Sequence, residues 1–169
     1  LHDPFLFPDM RTLIDRVKKA KENKEKIGVF GDYDADGITS SVIVRRVLER
    51  LGFVVVPYIP DKLTEGHGLH KNALDAFGRE GIRLVFTVDC GMMNHTEIDD
   101  AVSRAMDVIV IDHHHVPEKL PAAFAIVNPK LPDSKYPFHE LCGAGTAFTV
   151  ARALYRTFLP GKEDELKWL

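Results

Sequence analysis

The stretch Ile27-Gly28-Val29-Phe30-Gly31-Asp32-Tyr33-Asp34-Ala35-Asp36-Gly37 passes from an apolar run straight into a series of acidic residues. Its opening, Ile27 to Phe30, is a short apolar run of the kind that forms a buried strand. Aspartates at alternate positions end the run. From about Ile38 to Leu51 the apolar residues Val42, Ile43, Val47 and Leu48 then recur at helical spacing, until Gly52 stops them. Phe53 to Ile59 is β-branched and strand-like again, so the stretch is the first half of a strand-helix-strand unit.

The same cycle continues on both sides. Upstream, Met10, Leu13, Ile14 and Val17 mark a helix between Asp9 and Lys24 whose basic end suits a helix C-terminus. Downstream, Ala73 to Glu80 reads as a helix closed by Gly81, Leu84 to Val88 as a strand, His95 to Met106 as a helix and Val108 to Ile111 as a strand. Continuous apolar strands alternating with helices predict an α/β fold: a Rossmann-like parallel sheet of about five strands with helices on both faces. After Ile111, Pro117, Pro121, Pro129, Pro132 and Pro137 punctuate a loop-rich stretch that holds one strand candidate, Ala123 to Val127. Cys142 to Leu159 returns to helix, entered through Gly143 and Gly145, and Glu163 to Leu169 is helical in pattern. There is no internal repeat.

With 169 residues, 45% of them hydrophobic and 28% charged, the chain is expected to form one domain that needs no disulfide or metal staple. Cys90 and Cys142 form no Cys-x-x-Cys pair, and two thiols in a chain of this length suit a reducing compartment, so a cytoplasmic location is expected. No apolar run approaches the roughly 18 residues that span a bilayer, and the N-terminus lacks a basic segment followed by an apolar one, which excludes membrane and secretory readings. The formal charge of −3 gives no bulk attraction to nucleic acid, so a phosphate-bearing partner must be held by local groups or by metal. Lys18, Lys19, Lys21, Lys24 and Lys26 read as a solvated helix end, and Arg45, Arg46 and Arg50 as an exposed helix face. Leu1 at the start and an uncapped helical segment at Leu169 lead to the expectation that this is a piece of a longer chain.

The chemistry lies where the strands end. Asp32, Asp34 and Asp36 follow the first strand, Asp89 follows Val88, and Asp112-His113-His114-His115 follows Ile111. In open parallel sheets, ligands bind outside the carboxyl ends of the strands. Several carboxylates gathered there would repel one another unless a cation neutralises them, and oxygen ligands mixed with imidazole suit Mn²⁺, Zn²⁺ or Fe²⁺. Asp32-x-Asp34-x-Asp36-Gly37 is the front half of an EF-hand loop, but Ile43 stands where a bidentate Glu is required, which argues against calcium. Taken singly, each piece has a plainer reading. The aspartates could form a polar turn, Asp89 could cap the next helix, and His115 could simply be solvated. Glu65-Gly66-His67-Gly68 is a flexible loop, either plain or facing a substrate. Gly143-Ala144-Gly145-Thr146 either offers N–H groups to an anion or packs a helix closely.

Assembled in order, Gly31 to Gly37, Thr87-Val88-Asp89-Cys90-Gly91 and Asp112-His113-His114 resemble the first three motifs of the DHH phosphoesterase superfamily. The wording is most similar to its bacterial branch of single-strand-specific 5′-to-3′ DNA exonucleases. Asp3-Pro4-Phe5-Leu6, Thr64 to Leu69, Val127-Asn128-Pro129 and Leu141 to Phe148 resemble segments of that branch as well. Two places depart from it: His67 stands where Tyr is usual, and Met92-Met93 where Ile-Ser-like residues are usual. Branches that act on short oligonucleotides, cyclic dinucleotides or pyrophosphate usually carry His four residues before the middle Asp, where this chain has Phe30. The family also has a further aspartate in a Gly-Thr-x-Ala-Asp-like motif and a DHHA1-type nucleic-acid-binding domain, neither of which occurs before Leu169.

The resemblance implies metal-dependent phosphodiester hydrolysis of single-stranded DNA, in repair and recombination, with two Mn²⁺ or Mg²⁺ ions activating the water that attacks phosphorus. It implies that Asp34 serves one ion, that Asp36 and His113 serve the other, and that Asp89 bridges them, with Asp32 either a ligand or a brace of the turn. Asp112 would orient the metal-ligating imidazole and His114 would contact the phosphate. His67, Gly143 and Gly145 are the substrate-binding candidates. Residues 1–169 are expected to be a DHH-type domain that lacks one metal ligand and is, by itself, weakly active or inactive. A non-catalytic nucleic-acid-binding fragment is the alternative from a different class.

Overall fold

The computed structural model describes residues 1–168. Five strands form one sheet: β1 (Ile27–Gly31), β2 (Val55–Tyr58), β3 (Leu84–Val88), β4 (Asp107–Ile111) and β5 (Ala125–Val127). Their order is β2-β1-β3-β4-β5 and every pair is parallel, as the alternation of periods predicts. The direction of strand addition reverses between β1 and β3, which makes the crevice between those two strand ends the expected ligand position of a doubly wound sheet. Pro57 lies in β2, an edge strand, where its missing N–H costs the sheet least.

Side chains alternate across the sheet with a period of two. Ile27, Val29, Leu84, Phe86, Val88, Ile109, Ile111, Ala125 and Val127 face a core shared with helices α1 (Met10–Glu22), α2 (Ala35–Arg50) and α5 (Gly143–Phe158). Phe30, Val85, Val108, Val110 and Ile126 face the opposite core, filled by Leu74 and Phe77 of α3 (Lys71–Arg79) and Ile98 and Ala101 of α4 (His95–Ser103). The helices therefore do lie on both faces. A Cβ on Gly28 would stand 3.0 Å from the Phe77 ring, so the glycine in β1 is what allows that ring to pack on the sheet. Among the described residues, no helix is long and apolar enough to cross a membrane.

Boundaries differ from the sequence expectation in instructive places. Helix α2 begins at Ala35 rather than Ile38, because Asp34 is its N-cap and the last residues of the acidic motif are already its first turn. Helix α3 starts two residues early, at Lys71, and α4 ends at Ser103 rather than Met106. Glu163 to Trp168 is a 3₁₀ helix rather than an α-helical segment, and the expected end at Leu169 lies outside the described residues. A second 3₁₀ turn, Pro4–Leu6, has Asp3 at its N-cap, accepting from the Phe5 N–H. The connection from β4 to β5 contains no helix at all.

Candidate metal centre

The register of the sheet builds the site. Gly31 pairs with Val88, Val88 with Ile111, and Ile111 with Val127. The residues that follow, Asp32, Asp89, Asp112 and Asn128, consequently stand in one row along the carboxyl edge, all buried. The ladder runs on between them: the Asp89 N–H donates to the Ile111 carbonyl at 2.9 Å and the Asp112 N–H to the Val127 carbonyl at 3.0 Å.

Asp34 and Asp36 leave this row on the first turn of α2. One oxygen of Asp34 accepts the N–H groups of Asp36 and Gly37 at 3.0 and 2.9 Å, and these donors, Gly37 foremost, hold its carboxyl below the ordinary range. Asp36 is gripped from far along the chain. Its two oxygens accept the N–H groups of Gly143 and Ala144, each at 2.6 Å, so the carboxylate sits on the positive end of α5.

Asp89 is the central group. Its backbone is left-handed, φ +60°, a conformation that Asp tolerates better than most residues and that turns the side chain back over the strand ends. Burial, then the nearby carboxylates of Asp36 and Asp34, push its pKa up to about 7. His113 Nε2 lies 3.1 Å from Asp89 Oδ1 and 3.6 Å from Asp36 Oδ2, between the two carboxylates. Burial, with His114 alongside, lowers the His113 pKa, which keeps the imidazole neutral and able to coordinate. No donor is aligned on Asp89 Oδ1, which is buried without a hydrogen bond. A Cβ on Gly143 would fall 2.4 Å from that same oxygen, so only glycine leaves room for it.

Asp112 organises the histidine loop. Its Oδ1 accepts the N–H groups of His113 and His114 and the Nδ1 hydrogen of His114, at 2.7, 3.1 and 2.7 Å, while Oδ2 accepts the Met92 N–H at 3.1 Å. Burial acts to raise the Asp112 pKa, and these bonds, led by His114, outweigh it and leave the group below its usual value. The reciprocal effect raises the pKa of His114. The imidazole that Asp112 orients is thus that of His114, while His113 is aimed at the carboxylates.

A cleft of about 390 Å³ opens beside these groups, lined by Asp32, Asp89, Asp112 and His114 on one side and by His67, Gly68 and the 90–94 turn on the other. Asp32 Oδ2 meets His67 Nδ1 at 2.8 Å, and His67 Nε2 in turn reaches the Tyr33 hydroxyl. His67 therefore stands at the cleft, bound to the acidic turn. Asp32 Oδ1 accepts the Tyr33 N–H at 2.7 Å, within the turn itself. The Gly145 N–H is aimed at Sγ of Cys142, the N-cap of α5, at 3.3 Å. Cys90 is buried in the cleft wall, where burial raises its thiol pKa well above the ordinary value. Asp89 caps no helix, since α4 starts after Asn94, and His115 is exposed. Sequence reasoning did not single out Tyr33 or the N–H of Met92, and the anion that receives the N–H groups of Gly143 and Ala144 is the Asp36 carboxylate.

The residues fit a divalent cation. Asp89, His113 and His114 place ligand atoms within 4.8 Å of one another, with Asp36 against His113. An undonated buried carboxylate oxygen among like charges is the arrangement a cation would relieve.

A parallel sheet with this row of acidic and histidine residues at its carboxyl edge defines a class, and the chain belongs to the DHH family, matching the description "DHH family, N-terminal domain" over residues 26–167. It is similar to the single-stranded-DNA-specific exonuclease RecJ of Bacillus subtilis (strain 168), 42% identical over 153 residues, which are 90% of this chain and 20% of that protein. It is 41% identical over 135 residues to RecJ of Escherichia coli (strain K12), 79% of this chain and 23% of that protein. A crystal structure of exonuclease RecJ bound to manganese superposes with a TM-score of 0.82 at 33% identity, over 95% of this chain and 41% of that one. RecJ in complex with Mn²⁺ from Thermus thermophilus gives 0.73 at 31% identity, over 95% and 23%. The chain spans about a fifth to a quarter of the length of the curated relatives it matches.

Proposed function

We propose that this chain carries the metal centre of a single-stranded-DNA-specific exonuclease that hydrolyses phosphodiester bonds from the 5′ end, acting in DNA repair and recombination in the cytoplasm. The observation that carries the reading is the meeting of Asp36, Asp89 and His113, with an undonated Asp89 oxygen in their midst. The likeness to RecJ structures bound to manganese supports Mn²⁺, with Mg²⁺ as the alternative ion. Phe30 supports the same branch, since it is fully buried and stacked on Tyr58, with no histidine at that place to add a ligand.

In this reading Asp36 and His113 would hold one ion, Asp34 would hold a second, Asp89 would serve both, and Asp32 would brace the turn or add a ligand. Two such ions, when bound, supply the positive charge that makes water nucleophilic and offsets charge on the leaving oxygen. The protein's own groups do the rest. The α5 N-terminus fixes Asp36 so that its charge stays in place. Asp112 holds the Nδ1 side of His114, leaving Nε2 for a phosphate oxygen, and the raised pKa of His114 favours the protonated form that such a contact needs. His67 at the cleft is the substrate-facing position, whereas the N–H groups of Gly143 and Gly145 are already taken by Asp36 and Cys142.

The test is Mn²⁺-dependent release of mononucleotides from 5′-phosphorylated single-stranded DNA by the whole protein, against duplex DNA, a cyclic dinucleotide and pyrophosphate. Single strands alone should be degraded, and chelation should stop the reaction. Faster hydrolysis of the cyclic dinucleotide or of pyrophosphate would overturn the branch assignment.

A further inference from the structure

We infer that Asn128 is a positioning residue for the histidine loop, holding the peptide that follows the metal-facing imidazole; this rests on the metal reading above. Asn128 is the fourth member of the row Asp32, Asp89, Asp112, Asn128, and the only one of the four without a carboxylate. It is fully buried. An amide differs from a carboxylate in one way that matters at such a position: it donates as well as accepts.

Both capacities are used. Asn128 Oδ1 accepts the N–H of Lys130 at 2.9 Å, an ordinary local turn bond. Asn128 Nδ2 donates to the carbonyl of His114 at 3.0 Å, across fourteen residues. Nothing in the local turn calls for that second bond. Its target belongs to the loop that carries His113 toward Asp36 and Asp89.

The reason the loop needs such a bond lies in the topology. The chain leaving β1 enters α2 almost at once, and the chain leaving β3 reaches α4 within a few residues. The chain leaving β4 meets no helix before β5. Its peptide groups have no helix to bond to and turn to side chains or solvent. Asp112 takes the two N–H groups, of His113 and His114, and Asn128 takes the carbonyl of His114. Together the two hold the His113–His114 segment from its donor side and its acceptor side, and the imidazole geometry follows from that peptide geometry. Groups that orient metal ligands in this manner typically contribute 10- to 100-fold in affinity or activity.

Asn128→Asp and Asn128→Ala in the whole protein test this. The Asp variant keeps an acceptor for Lys130 and loses the donor to His114. Its added negative charge would by itself strengthen cation binding, so weaker binding cannot be a charge effect. Expected are Mn²⁺ affinity weakened about 10- to 100-fold and kcat on single-stranded DNA reduced by a similar factor, with KM within about threefold and the Mn²⁺-induced rise in melting temperature diminished. The melting shift reads binding even in a variant of reduced stability, which covers Asn128→Ala. Both variants melting lower without metal, yet binding Mn²⁺ and turning over as the parent does, would reduce Asn128 to a purely structural residue and overturn the inference. A parent protein that neither binds Mn²⁺ nor cuts DNA would instead refute the metal reading, which separates the two failures.

Discussion

The acidic turn after β1 and the histidine loop after β4 deliver groups to the same point by different means. On the acidic side the backbone does the holding: Asp34 caps α2, and Asp36 is clasped by two N–H groups of α5. On the histidine side a buried carboxylate and a buried amide hold a loop that has no helix of its own. Asp89 lies between them, and His113 touches it from the loop side. The two halves are therefore vulnerable in different places. The acidic half depends on packing of whole helices and the histidine half on single side chains.

Both halves should fail together when the residue between them, Asp89, is changed. Asp89→Asn keeps a side chain that tolerates the left-handed backbone and removes the charge. Mn²⁺-dependent hydrolysis should fall to background, and the metal-free protein should gain stability at pH 8, as read in urea melts, because a buried and repelled carboxylate is gone. Activity within tenfold of the parent would contradict the shared-ligand role.

Gly143→Ala strikes the acidic half through packing. The new methyl would stand 2.4 Å from Asp89 Oδ1, on a residue whose N–H also holds Asp36. Mn²⁺ affinity measured by calorimetry should drop by at least the 10- to 100-fold typical of a lost supporting contact. Unchanged affinity would show that α5 does not govern Asp36 and Asp89.

The pH dependence is the next largest effect. The Asp89 pKa is raised, to about 7, so the folded metal-free protein binds a proton that the unfolded chain has already released above the ordinary value of 3.8. Stability of the metal-free form should therefore decline from this group as pH rises from about 4 to about 7, and level off above. A cation must displace the same proton, so Mn²⁺ affinity should rise about tenfold per pH unit up to about 7 and flatten beyond it. In Asp89→Asn both slopes should be reduced, and a slope that survives that change would belong to another group.

The smallest effect separates capping from coordination. Asp34→Ala removes a cap and should cost about 1 kcal/mol of stability, whereas Asp34→Asn preserves it. Both should weaken Mn²⁺ binding. Equal melting temperatures in the two variants would show that the cap contributes little.

The fold was largely legible in the sequence, because strand and helix periods survive in runs such as Leu84 to Val88 and Val42 to Leu48. So was the gathering of Asp36, Asp89 and His113, because strand ends in a parallel sheet share one edge. The start of α2 was not, since Asp34 to Gly37 reads as a turn until its N–H bonds are seen. The clasp of Asp36 by Gly143 and Ala144, the Asp32–His67–Tyr33 chain and the bond from Asn128 to His114 were not legible either. Each joins separate segments, and a hydrogen bond between distant residues leaves no period in the chain.

The clasp on Asp36 also sets an order of events during synthesis. It joins residues 107 positions apart. A ribosome delivers Asp36 and Asp89 long before it has made Gly143. Sheet strands can pair while α5 is still untranslated, but contacts this distant in sequence form late. The nascent protein therefore carries its acidic cluster without the helix that steadies it, and the centre matures only when nearly all of these residues have been translated.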